Sequence, residues 1–123
     1  MSLGVQSGGG APFNLEMGTY TGSGSTDVGV ITFQGTPVFI YIEGTRGGSY
    51  GTDKLVLNAS FITNTYRLNG IAVYGQSFNS TNAAQTKLVD KTLWVTTINT
   101  SGSRAQYSFN YSDVTYTWFA LTI

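Results

Sequence analysis

Apolar and polar residues alternate with a period of two along much of this chain. That pattern marks strands with one face on a core and one toward water. In the stretch 37–43, Val38, Ile40 and Ile42 fall on one side and Phe39, Tyr41 and Glu43 on the other. A strand over 54–62 is predicted to turn Leu55, Leu57, Ala59 and Phe61 inward. Shorter strands are expected over 17–21 and 28–33. The second of these pairs with 37–43 through the connection Gln34-Gly35-Thr36. Asn69-Gly70 favours the positive dihedrals of a two-residue hairpin turn. Such a turn would pair Leu68 with Ile71 and Tyr66 with Val73. The stretch 87–98 reads as one long strand whose alternation falters near Asp90-Lys91, as at a bulge or bend.

The end of the chain is its most aromatic part. Ala105, Tyr107, Phe109 and Tyr111 alternate with polar residues. Thr100-Ser101-Gly102 turns the chain into this stretch and Ser112-Asp113 turns it again. From Val114 to Ile123 the alternation changes character. Val114, Tyr116, Trp118 and Ala120 share one face, and Phe119, Leu121 and Ile123 the other. A strand apolar on both faces is covered on both, so this one is expected in the middle of a sheet or in a subunit interface.

No long stretch carries a helical period, and Gly, Asn or Ser turns separate the strands. Together these predict an all-β antiparallel sandwich of about eight strands. Residues 1–16 read as a flexible lead-in or shaft connection, because Gly8-Gly9-Gly10 holds no regular element cheaply. Residues 17–123 form the sandwich domain. Two long loops, 44–53 and 75–85, stand out from the short turns.

Composition narrows the chemistry. The 123 residues carry six basic and six acidic side chains and a formal net charge of zero, so no electrostatic footprint for nucleic acid is present. No apolar run reaches the length of a membrane span. With no His and no Cys, the usual base, thiol nucleophile and soft metal ligands are missing. Only an oxygen-ligated ion such as calcium remains open, and no dense acidic loop offers it a cage. The six carboxylates are scattered near strand ends and turns, whereas glycoside hydrolysis needs two opposed across a cleft. The chain is therefore read as no enzyme, without cofactor or metal. Gly22-Ser23-Gly24 is not a phosphate loop, since no helix or Lys follows it. Asn-x-Ser/Thr triplets at Asn58, Asn79, Asn99 and Asn110 are expected by chance in so Asn-, Ser- and Thr-rich a chain.

Recognition is what remains. Loops on a rigid sandwich are its usual place. The two long loops offer Arg46, Tyr50, Phe78, Asn79 and Asn82 as contacts for a glycan or other neutral polymer. For Tyr50 and Phe78 the competing reading is a loop anchor folded back on the body. Trp94 and Trp118, in mid-strand, are expected in the core.

Both ends of the chain resemble the C-terminal domains of phage and prophage tail fibres. The residues concerned are Gly18-Thr19-Tyr20-Thr21-Gly22, Val30-Ile31-Thr32-Phe33 and Thr36-Pro37-Val38-Phe39-Ile40 near the start. Near the end they are Asn110, Thr115-Tyr116, Trp118 and Ala120-Leu121. The middle does not share the likeness, and the chain ends in Thr122-Ile123 where those domains more often end in Gly. A more distant similarity is to small snail-type lectin sandwiches. The resemblance implies a receptor-binding tip at the distal end of a virion fibre. It would be a homotrimer, adhering to a host-surface glycan or other receptor. A carbohydrate-binding module of a cell-surface protein or enzyme, and a fibre cap without ligand, are the alternatives.

Overall fold

β-branched and aromatic residues at alternate positions build ten strands in this computed structural model, which describes residues 12–47, 51–74, 77–78, 85–96 and 109–123. They are β1 (Asn14–Thr21), β2 (Val28–Thr32), β3 (Pro37–Arg46), β4 (Gly51–Asn58), β5 (Arg67–Leu68), β6 (Ile71–Tyr74), β7 (Ser77–Phe78), β8 (Gln85–Val89), β9 (Thr92–Thr96) and β10 (Thr115–Thr122). They form a six-stranded sheet in the order β1-β10-β3-β4-β6-β7 and a four-stranded sheet in the order β2-β9-β8-β5. Every pairing is antiparallel. The fold is an all-β sandwich, as the alternation predicts. The count exceeds eight because β5 and β7 are two-residue pieces.

The inner faces meet in one core. Ile40, Ile42, Leu55, Leu57, Ala72, Tyr116 and Ala120 come from the larger sheet, and Ile31 and Leu93 from the smaller. Phe33, Phe109 and Ala59 close its ends. Tyr20 and Tyr116 stack at 4.9 Å between ring centroids, and Trp118 meets Phe33 edge-on at 5.3 Å. The last strand lies between β1 and β3, the mid-sheet place expected of it, but only its inner face is covered: Tyr116 and Ala120 are buried, while Phe119 on the other face is 36% exposed.

Several local expectations are corrected. The stretches 28–33 and 37–43 do not pair with each other. β2 joins β9 in one sheet and β3 joins β10 and β4 in the other, so Gln34-Gly35-Thr36 crosses between layers. Asn69-Gly70 makes no hairpin either. β5 pairs with β8 and β6 with β4, and the dipeptide turns the corner from sheet to sheet. The long strand over 87–98 is two strands, β8 and β9, joined at Asp90-Lys91 with Asp90 at φ 55°. Its faltering alternation marked a turn. The loop expected over 44–53 shrinks, because β3 runs on to Arg46 and β4 starts at Gly51. β4 ends at Asn58 in a 3-10 turn, Ala59–Phe61, which leaves Phe61 76% exposed instead of inward. β1 starts at Asn14, inside the expected lead-in, so the ordered body reaches further toward the N-terminus. Phe109 to Tyr111 is irregular, with Phe109 at φ 51°, and the predicted strand over 105–111 lies otherwise outside the described residues. The turn at Thr100-Ser101-Gly102 also lies outside them.

That irregular segment is held by Asn110, which is buried. Its amide donates to the Ser25 carbonyl at 2.7 Å and the Ser23 hydroxyl at 3.0 Å, and its Oδ1 accepts from the Ser23 N–H at 3.0 Å. A glycan has no room at such a side chain.

Candidate functional site

The cross-strand register sorts the outward face of the six-stranded sheet into rows. Odd positions of β1, β3 and β10 and even positions of β4 point away from the core. At one end, Thr21 lies opposite Thr115 and Thr45 opposite Thr52, whose hydroxyls are 2.8 Å apart. The next row runs Thr19, Thr117, Glu43, Lys54, Val73. The third runs Met17, Phe119, Tyr41, Val56, Ile71. The fourth runs Leu15, Leu121, Phe39, Asn58. The face is thus graded along the strands, hydroxyl-rich at one end and apolar at the other. Among the described strand residues of these rows the charged ones are Glu43 and Lys54, neighbours in register.

Two depressions sit at the boundary. An open groove of about 440 Å³ is lined by Glu43, Gly44, Thr45, Asp113, Val114, Thr115 and Thr117. A smaller one of about 190 Å³, almost wholly apolar, is lined by Met17, Tyr41, Glu43, Thr117, Trp118 and Phe119. Glu43 and Thr117 belong to both, so the two adjoin at these side chains. The first presents carboxylates and hydroxyls. The second is floored by the Tyr41 and Phe119 rings, stacked at 5.4 Å between centroids. Burial and the neighbouring Glu43 carboxylate raise the Tyr41 phenol above its ordinary pKa, which keeps it a neutral donor. Asp113 reaches the groove from the turn before β10 and holds a positive φ of 65°, which Asp tolerates better than most residues.

Of the loop residues expected to bind, the structure describes Arg46 and the backbone of Phe78. Arg46 is the last residue of β3 and only 9% exposed. Its Nε and Nη2 grip the Asp53 carboxylate at 2.7 and 3.0 Å, Nη1 donates to the Tyr111 hydroxyl at 3.3 Å, and the guanidinium lies 4.8 Å from the Tyr111 ring centroid. This is an inward bidentate pair, not a loop donor. Phe78 is in β7, its backbone paired with Val73. Tyr50, Asn79 and Asn82 lie outside the described residues. The tryptophans divide. Trp118 packs inward on Phe33 as expected. Trp94 instead lies on the outward face of the smaller sheet, between the buried Leu93 and Val95, where the Lys87 ammonium stands 5.0 Å from its ring and 4.5 Å from that of Tyr66.

Sequence reasoning missed Glu43, Thr115, Thr117 and Asp113 as a group, because long-range pairing assembles them. The available signal was the outward polar parity of 41–45 and 115–119. Among the described residues no three acidic side chains gather as a metal cage. No family, curated protein or solved structure matches the chain.

Proposed function

We propose that this chain is a non-catalytic adhesion module that holds a neutral surface glycan in the groove between β3 and β10. In this reading it is the receptor-binding tip of a phage or prophage tail fibre. The observation that carries the ligand class is that the polar and the apolar depression adjoin at Glu43 and Thr117. A sugar ring has a rim of hydroxyls and an apolar C–H face. Glu43, Asp113 and the threonine hydroxyls meet the rim, while Tyr41 and Phe119 receive the face. A site this open binds each ring weakly. Adhesion then comes from several copies acting together at high effective concentration.

The fibre context rests on the likeness of the two chain ends to tail-fibre domains. The groove itself serves a carbohydrate-binding module equally well. The test is adsorption to arrayed neutral oligosaccharides and to intact cells, comparing the native chain with Glu43→Ala and Thr117→Val. Both side chains point outward from intact strands, so the variants fold. Each lost hydrogen bond at a bound ligand is expected to lower affinity about 10-fold. Undiminished adsorption by both variants, or no retention of any glycan by the native chain, rejects the reading.

A further inference from the structure

We propose that Asn69 is a self-modification site which the fold keeps locked, its side-chain amide being lost to water only when the corner between the two sheets opens. Asn69-Gly70 is the one Asn-Gly pair in the chain. Glycine sets no side chain beside its own nitrogen, so in a chain free to bend that nitrogen reaches the preceding carboxamide. Gly70 is exposed, so water has access to the same peptide.

The reaction needs the Asn69 side chain to fold back on the peptide that follows it. The Gly70 nitrogen attacks Cγ of Asn69 and an N–C bond forms. The Cγ–Nδ2 bond breaks, and the amide leaves as ammonia with the proton given up by the Gly70 nitrogen. Water then opens the cyclic imide, at Cγ to give Asp or at the backbone carbonyl carbon to give isoaspartate. Water is the only co-reactant.

In the folded chain the side chain reaches across to the smaller sheet instead. Nδ2 donates to the Thr86 hydroxyl at 2.9 Å, the Thr86 carbonyl at 3.0 Å and the Arg67 carbonyl at 3.3 Å. Thr86 is fully buried in β8, so the anchor is fixed. These bonds must break before the ring can close. They last while β5 stays on β8, with Arg67 opposite Thr86 and Leu68 opposite Gln85. A pairing of two residues is a weak clasp, and its local opening frees the amide without unfolding the whole sandwich. The product cannot close the clasp again. Asp has no donor for the Thr86 oxygens. Isoaspartate adds a carbon to the main chain between β5 and β6, whose partners β8 and β4 lie in different sheets. Each opening therefore risks a permanent exit from the native state.

The test needs no ligand, so it stands apart from glycan adsorption. The full chain, folded or in guanidinium chloride, is held at mildly alkaline pH for days, and the peptide containing Asn69 is followed by mass spectrometry. Conversion in the unfolded chain is expected to be at least about 10-fold faster than in the folded one. Thr86→Val keeps the carbonyl and removes the hydroxyl, and should speed the folded reaction by about 3-fold or more while leaving the unfolded rate unchanged. A folded chain that converts as fast as the unfolded one overturns the proposal. So does an Asn69 that survives in both states, or a folded Thr86→Val that converts at the native rate. If dichroism shows that Thr86→Val does not fold, the ratio of rates in the native chain decides alone.

Discussion

Glu16 shows how one carboxylate couples a strand to a crossover. It sits on β1 and accepts the backbone N–H of Gln34 at 2.8 Å and of Gly35 at 2.9 Å, on the chain passing from one sheet to the other. Burial alone would raise its pKa. The two N–H donors outweigh that, with help from Thr122 and Lys91, so it lies below the ordinary 4.5. A depressed folded-state pKa contributes stability above the unfolded value, and that contribution is lost as pH falls through the folded one. The native chain should therefore melt lower at about pH 3 than at about pH 6. Glu16→Gln should lower the melting temperature at the higher pH and narrow the gap between the two. An unchanged gap in a scanning calorimeter would mean the contact is idle. Nothing in the sequence marks this residue as a tether, because its partners Gln34 and Gly35 come beside it only through the crossover between layers.

At the scale of elements, the corner at Asn69-Gly70 separates what alternation can tell from what it cannot. A period of two gives each strand's faces: it grouped Ile40 with Ile42, and Tyr116 with Trp118 and Ala120, and it turned Leu55 and Leu57 inward, all as the core has them. It does not give a strand's neighbour, since two consecutive strands look alike whether they share a sheet or cross between sheets. Gly70 is needed here for two reasons. Its φ is +77°, and a Cβ would stand 2.1 Å from the Val56 carbonyl oxygen. Asn69 donates from its amide to the Thr86 carbonyl at 3.0 Å and hydroxyl at 2.9 Å, tying the corner to the smaller sheet. Gly70→Ala should cost about 3 kcal/mol, a fall of roughly 10 °C in melting temperature. Asn69→Asp separates corner from hairpin. In a two-residue hairpin turn Asp serves nearly as well as Asn. At the corner it loses both donors and sets a carboxylate against a carbonyl, which should cost about 1–2 kcal/mol in urea unfolding. The groove proposed to bind was hidden for the same reason as the corner. Glu43 and Thr117 are far apart in sequence and meet only because β3 and β10 are neighbours.

The whole molecule is closed by its last strand. β10 stands between β1 and β3, so among the described strands β1 has no sheet partner until β10 is in place. The larger sheet therefore depends on a pairing between Asn14–Thr21 and Thr115–Thr122, far apart in sequence, and such non-local pairings are slow to form. Refolding from urea should take milliseconds to seconds, about the range of other all-β sandwiches. Trp118 reports the closing step directly, because its ring meets Phe33 of the opposite layer only when β10 has docked. With Trp94 replaced by Phe, stopped-flow fluorescence should follow Trp118 alone. If β10 completes the cooperative unit, that signal and far-ultraviolet dichroism will share one rate constant. A Trp118 phase much slower than the dichroism would mean that the other strands form a stable sandwich without it. The graded face, with its groove between β3 and β10, would then be the last part of the molecule to exist. Adsorption to glycan and recovery of Trp118 fluorescence should accordingly return together during refolding.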